Sequence, residues 1–251
     1  MSAAVFDHVT IRVTDRRASE RFYDTVLAPL GIDRTYRTGT FSEWGGFSLA
    51  AADEATPVTR RLHVGFASPS REQVDDFWRT GTEAGYPDDG RPGPRPEYRS
   101  DYYGAFLLDP DRNSVEAVHH DGLRRDGVID HLWIRVADLA AAKRFYETIA
   151  PHAGLRVDSD TGDRVRFVGT GGSFSLVRGT PTENLHMAFP TADDGDVQRF
   201  HESATAAGYR SKGPPGERPR YHPGYYAAYV FDPDRNNIEV VNHHRHSGAA
   251  R

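Results

Sequence analysis

From Asp7 to Val13 polar and apolar residues alternate: His8, Thr10 and Arg12 fall on one side, Val9, Ile11 and Val13 on the other. That is the period of a strand with one buried face. Asp15 is placed to cap the helix that follows, in which Phe22, Val26 and Leu30 recur four apart. Gly31 suits its end. Short strands with glycine turns continue through Ser48. A second strand then opens at Arg61–Phe66, where Leu62, Val64 and Phe66 oppose His63. A helix starts near Ser70, with Val74, Phe77 and Trp78 apolar, and ends at Gly85. Further strands run from Tyr102 to His119. The reading is βαβββ, twice.

The same pattern then starts again. FDHVTIRVTDRRASERFYDTVLAPLGI is matched by IDHLWIRVADLAAAKRFYETIAPHAGL, and YYGAFLLDPDRNSVEAVHH by YYAAYVFDPDRNNIEVVNHH. His8 and His131, His63 and His186, Tyr102 and Tyr225, Asp109 and Asp232, and Glu116 and Glu239 are each 123 positions apart. Phe47-Ser48-Leu49 matches Phe174-Ser175-Leu176 at an offset of 127, so about four residues shifted within a hairpin. The expected organisation is a first domain at 1–122, a linker at 123–127 within the polar DGLRRDG segment, a second domain at 128–246 and a tail at 247–251. The fold class is α+β: four βαβββ modules forming two curled eight-stranded mixed sheets with flanking helices. On the expectation that each half closes its own sheet, the concave face of the first carries His8, His63 and Glu116.

Composition narrows the chemistry. The 251 residues are 37% hydrophobic with a formal charge of −5, and the charges are interspersed. Neither nucleic acid nor an anionic membrane surface is indicated as a partner. No apolar run approaches a membrane span, and the N-terminus lacks a charged leader before an apolar block, so a cytoplasmic protein is expected. The absence of cysteine removes disulfides, thiolate ligands and thiol nucleophiles together. No glycine-rich phosphate loop or GxSxG elbow occurs. Twelve histidines remain.

His8, His63 and Glu116 are separated by 55 and 53 positions, and so are His131, His186 and Glu239. Two neutral imidazoles and a carboxylate can occupy one face of a divalent metal and leave three positions open. The symmetric spacing fits two arrangements. Each trio can form within its own half, or the modules can swap, so that His8 meets His186 and Glu239 while His131 meets His63 and Glu116.

The βαβββ modules, the opening DH(V/L) strand and the closing DPDRNxxE hairpin resemble the vicinal oxygen chelate superfamily over roughly residues 5 to 243. That group includes glyoxalase I, type I extradiol dioxygenases, fosfomycin-resistance transferases and bleomycin-resistance proteins. The resemblance implies metal ligands at His8, His63, Glu116, His131, His186 and Glu239. Glyoxalase I adds a fourth ligand, a Glu, near the positions that Ser48 and Ser175 hold here. The three-ligand set is therefore more similar to the dioxygenases and fosfomycin-resistance enzymes. The dioxygenases carry a catalytic tyrosine ten residues before the ligand Glu; Tyr229 stands there in the second half and Phe106 in the first. His222, in Tyr221-His222-Pro223, is a second acid–base candidate. Gly171 stands at the position expected for a further active-site His.

Arg95 and Arg218 repeat in Pro/Gly-rich loops just ahead of Tyr102-Tyr103 and Tyr225-Tyr226. Arg95, Arg218, Tyr103 and Tyr226 are candidate substrate contacts. Arg112 and Arg235 stand in the DPDRN turns where related sequences carry Gly, and Asn113 and Asn236 are alternative residues for a positive φ. His119, His120, His243, His244 and His246 are expected to be solvated. The expected function is divalent-metal-dependent chemistry, Fe(II) favoured over Mn, Zn or Ni, on a small molecule chelated through vicinal oxygens. A dioxygenase-like oxidation of a phenolic or enolic substrate leads. A glyoxalase-type isomerase or lyase, an antibiotic-resistance transferase and a non-catalytic drug-binding protein are the alternatives, as a monomer or homodimer.

Overall fold

The computed structural model describes residues 5–123, 127–169 and 172–244. Residues 124–126 of the expected linker at 123–127, Gly171, His246 and the tail at 247–251 lie outside them. Four modules follow one another. The first is β1 (His8–Val13), α1 (Arg16–Leu27), β2 (Tyr36–Arg37), β3 (Phe41–Trp44) and β4 (Phe47–Ala51). The second is β5 (His63–Ala67), α2 (Arg71–Glu83), β6 (Asp88–Pro94), β7 (Tyr103–Leu108) and β8 (Ser114–His119). The third is β9 (Ile129–Val136), α3 (Leu139–Ile149), β10 (Arg156–Asp160), β11 (Arg164–Gly169) and β12 (Gly172–Arg178). The fourth is β13 (His186–Pro190), α4 (Asp194–Ala206), β14 (Ser211–Glu217), β15 (Tyr226–Phe231) and β16 (Asn237–Asn242). No helix among the described residues is long and apolar enough to cross a membrane.

Local chemistry sets the helix starts. Asp15 accepts from the Ala18 N–H and Asp138 from those of Ala140 and Ala141. Ser70 and Asp193 do the same for Gln73 and Gly195. These bonds satisfy donors that a first helical turn leaves open.

The strands form two eight-stranded mixed sheets, ordered β14-β15-β16-β13-β1-β4-β3-β2 and β10-β11-β12-β9-β5-β8-β7-β6. This corrects the expectation that each half closes its own sheet. Every sheet takes one module from each half, joined at an antiparallel centre: β1 on β13, and β5 on β9. Helices keep the opposite partnership. The α1 helix packs on α2, with Phe22 and Tyr86 edge to face at 4.8 Å, and α3 packs on α4. Each half is thus one packing unit on its helical side, while its strands cross over.

The core lies between. Tyr23, Phe47 and Phe66 form a buried run, with ring centroids 4.9 and 5.1 Å apart, that joins the first module to the second. Tyr146 and Phe167 flank Phe174 likewise in the second half. Each such ring contributes on the order of 1.5–3 kcal/mol by leaving water. The DPDRN turns pin this core from the side. Asp109 Oδ1 accepts from the Asp111 and Asn113 N–H groups, and Oδ2 from the Asn113 amide and the Tyr23 hydroxyl. The positive φ in these turns falls on Arg112 (68°) and Arg235 (70°) and not on the following asparagines.

Candidate metal centres

The crossed sheets decide which histidines meet. In β1 and β13 the register pairs His8 with Ala188 and Thr10 with His186; β16 brings Glu239 beside Ala188. In β5 and β9, Gly65 faces His131 and His63 faces Trp133, and Glu116 of β8 lies beside Gly65. Two trios result, His8–His186–Glu239 and His63–Glu116–His131, each with its ligand atoms within 4.8 Å of one another. The swapped arrangement is therefore the one found. His8, His63 and Glu116 do not share a site.

In the His8 centre the Nε2 atoms of His8 and His186 are 3.0 Å apart, and Glu239 Oε2 is 3.6 and 3.0 Å from them. In the His63 centre the two Nε2 atoms are 3.3 Å apart, with Glu116 Oε2 at 3.0 and 3.3 Å. Ligands about 2.1 Å from one cation at near-right angles would stand about 3 Å apart, so these edges fit a divalent ion. The backbone leaves room for the donors. A Cβ on Gly65 would come 2.4 Å from the His131 ring, and one on Gly104 would come 2.5 Å from Glu116 Oε1.

Behind the donors lies a second layer that fixes each imidazole. His8 Nδ1 donates to Asp7 and His131 Nδ1 to Asp130, at 2.8 and 2.9 Å. His63 Nδ1 donates to Ser114 Oγ at 3.1 Å, whose hydroxyl donates onward to Asp89. His186 Nδ1 lies 3.1 Å from the Asn237 backbone carbonyl and 2.6 Å from the Asn237 side-chain amide. With each Nδ1 engaged, Nε2 faces inward, as metal-binding imidazoles require. Glu116 and Glu239 are 1% exposed. Their Oε1 atoms accept from the Tyr102 and Tyr225 hydroxyls at 2.7 and 2.6 Å.

Charge is shared within the trios. Burial pushes the Glu116 carboxyl up, but hydrogen bonds from His131 and His63 overcome this and hold it down to about 2. Glu239 is likewise lowered, burial being outweighed by His186 and His8. Burial opposes a charged His131, yet bonds to Asp130 and Glu116 raise it to about 10. His8 is raised against burial by Asp7, Glu239 and, more weakly, Glu43. His63 and His186 are lowered, chiefly by burial. In each metal-free trio the surroundings favour a charged carboxylate, charge on His8 or His131 and a neutral His186 or His63, so a cation would compete with a proton for the site.

The other candidates divide. Tyr229 sits opposite Glu239 in the β15–β16 ladder, 6.3 Å between its ring and that of His186, and its buried hydroxyl has no partner among the described residues. Phe106 holds that place beside His63 at 5.9 Å. Arg218 and Arg95 reach over these two rings, each at 5.5 Å. His222 does not join the donors. It ends a chain of contacts in which His222 Nε2 meets His243 Nδ1, His243 Nε2 meets Asp7, and Asp7 meets His8, each at 2.8 Å.

Tyr103 and Tyr226 turn to the helical side, where their hydroxyls meet Asp75 of α2 and Gln198 of α4. Their neighbours Tyr102 and Tyr225 take the inward place, because successive strand residues face opposite ways. The expectation that the terminal histidines are solvated holds for the exposed His244 and is corrected for His119, His120 and His243. His243 and the 8%-exposed His120 back Asp7 and Asp130, His119 binds the Ser68 carbonyl, and His244 pairs with Asp194. Sequence reasoning missed the roles of Asp7 and Asp130, although an Asp directly before each opening His was a visible signal.

At the expected place of a fourth ligand, Ser48 bonds the Thr10 hydroxyl at 2.8 Å and Ser175 pairs with Trp133 across β12 and β9.

Residues 5–117 and 128–240 each match the family described as Glyoxalase/Bleomycin resistance protein/Dioxygenase superfamily. The chain belongs to this superfamily. Among solved structures it is similar to glyoxalase I from Zea mays, at 19% identity and a TM-score of 0.69, over 95% of this chain and 92% of that one. It is also similar to a candidate dioxygenase from Bacillus subtilis, at 17% identity and a TM-score of 0.64, over 96% and 86%. No functionally curated protein matches the sequence. As a glyoxalase/dioxygenase-superfamily chain, it carries the superfamily domain twice, and its strand crossing makes each donor trio the joint product of both copies.

Proposed function

We propose that the chain is a divalent-metal-dependent enzyme acting on a small molecule that chelates through two adjacent oxygens. One observation carries this: two His, His, Glu trios with inward donor edges of 3.0–3.6 Å, every histidine held from behind and each carboxylate held by a tyrosine. When bound, a divalent ion would supply Lewis-acid polarisation of the chelating oxygens, and iron would add redox chemistry with dioxygen. The protein holds the donors in one tautomer, keeps a carboxylate charged in a buried setting, and sets Arg95 or Arg218 over the ring beside it.

A dioxygenase-like oxidation of a phenolic or enolic substrate, with Fe(II), is the leading reading. It is supported by the three-donor set, by Ser48 and Ser175 at the fourth place, and by Tyr229. The unpartnered Tyr229 hydroxyl can exchange a proton with a substrate oxygen in the His8 centre. Burial and the Glu239 charge raise its pKa, which favours the neutral donor. An isomerase or lyase reading draws on Glu43, whose charge acts on His8 from the strand next to Ser48. That carboxylate could serve as the base that a serine cannot.

Elemental analysis of untagged protein should give two divalent ions per chain. Oxygen uptake with enediol-type substrates should be abolished in Tyr229→Phe if oxidation at the His8 centre is the reaction. Metal-free protein that refuses reloading would defeat the proposal. Methylglyoxal–thiol turnover without oxygen uptake would transfer it to the isomerase reading.

A further inference from the structure

The duplication gives each centre an internal control, because every wall residue of one has a counterpart in the other. Beside the His63 centre stands Trp133, with the exposed Tyr98 edge to face at 5.6 Å and the His63 ring at 6.1 Å. Its counterpart by the 123 offset is Thr10, whose hydroxyl is spent on Ser48. Phe106 is replaced by Tyr229, and Asp89 by Lys212. The Lys212 ammonium lies 5.4 Å from the centre of the Phe231 ring, and Arg218 lies 5.5 Å over Tyr229 at the His8 centre. The His63 centre opens into a cavity of about 320 Å³ lined by Trp133, Tyr98 and Phe106 together with Arg95 and Arg135.

The two arginines matter for charge. Arg95 donates to the carbonyls of Arg91 and Pro94, and Arg135 to that of Arg61. Neither has a carboxylate partner among the described residues. Asp89 and Glu116 also line the cavity but are bonded by Ser114 and Tyr102, so two guanidinium groups without an ion-pair partner, in a cavity walled by Tyr98, Tyr102, Phe106 and Trp133, suit a flat ligand bearing a carboxylate. The volume fits a single-ring molecule.

We propose that the two centres have diverged in ligand, and that the His63 centre selects an aromatic acid, its ring against Trp133 and its carboxylate toward Arg95 and Arg135. The His8 centre, with Thr10 and Tyr229 in place of Trp133 and Phe106, takes a non-aromatic, polar anion. This rests on metal occupancy of both trios.

The test is calorimetric titration of zinc-loaded full-length protein with salicylate (an aromatic hydroxy acid) and with lactate (its aliphatic counterpart), zinc being counted in the same sample. The expected result is two zinc ions and one tight salicylate per chain. Trp133→Thr should weaken salicylate about tenfold or more and leave lactate within twofold, and Trp133→Phe should restore most of the affinity. Phe106→Tyr, a milder change, provides a second probe of the same wall and should weaken salicylate severalfold. Two equal salicylate sites, or a Trp133→Thr variant that binds salicylate as well as the parent, would overturn the divergence while leaving the metal reading intact. Equal loss of salicylate and lactate would make Trp133 a packing residue and also overturn it. Fewer than one zinc per chain after loading would instead remove the metal reading beneath it.

Discussion

Tyr102 donates its hydroxyl to Glu116 Oε1 at 2.7 Å, so only Oε2 faces the two imidazoles. Tyr225 does the same for Glu239. Replacing either by Phe leaves a buried carboxylate short of a bond and free to rotate. Metal affinity of the corresponding centre should fall about 10- to 100-fold. The metal-free protein should lose about 1.5–3 kcal/mol. Chelator competition and urea unfolding measure the two effects.

Donor pairing across the halves gives a counting experiment. His8→Ala combined with Glu239→Gln strikes one centre and should leave one metal ion per chain. His8→Ala combined with Glu116→Gln, two residues of the same half, strikes both centres and should leave none. Elemental analysis of the two double variants decides it; the opposite result would mean that donors pair within each half.

Arg112 and Arg235 stand at φ 68° and 70°, where a side chain clashes with its own backbone. Arg112→Gly should therefore stabilise the chain by about 1 kcal/mol, as should Arg235→Gly, with a rise in Tm of roughly 2–4 °C each. Paired melting curves in metal-free buffer check this. A fall in Tm would show that the guanidinium contributes more than the strain costs.

Asp109 and Asp232 are pushed up to about 6 by burial, against the hydrogen bonds each accepts. In the unfolded chain both ionise near pH 4. Between these values the folded state holds the extra proton, so their contribution to stability falls as pH rises from about 4 to about 6. Asp109→Asn removes one such term. The urea midpoint of this variant, relative to the parent, should improve across that window by the equivalent of about 1–3 kcal/mol. A difference independent of pH would show that Asp109 ionises normally in the fold.

Much of this was readable from the chain. Alternation around His8 and His63, the capping Asp15 and the repeat offset define the modules, since each rests on local periodicity or a single turn. The six donors were readable because they recur on strand faces of known period. Their partnership was not. Equal spacings of 55 and 53 in both halves satisfy either pairing, and the choice depends on which strand edges meet at β1–β13 and β5–β9, a long-range matter. The inward place of Tyr102 and Tyr225 beside the glutamates, and the turn of Tyr103 and Tyr226 to the helical side, were not readable, because a single-step slip turns a strand side chain to the other face. Asp7 and Asp130 were in view as polar strand residues, but their role as supports depends on what lies behind an imidazole.

The crossing of strands between the two copies also bears on how such a chain could have arisen. A lone 120-residue ancestor with the first half's sequence pattern would have held both histidines and the glutamate, yet no way to gather them alone. Two such molecules paired about a two-fold axis, the first module of each on the second of the other, would have assembled both trios at once. Fusion of the two copies into one polypeptide then freed each centre to drift separately, and the exchange of Trp133 for Thr10 is the kind of change that an identical pair could never make on one side only.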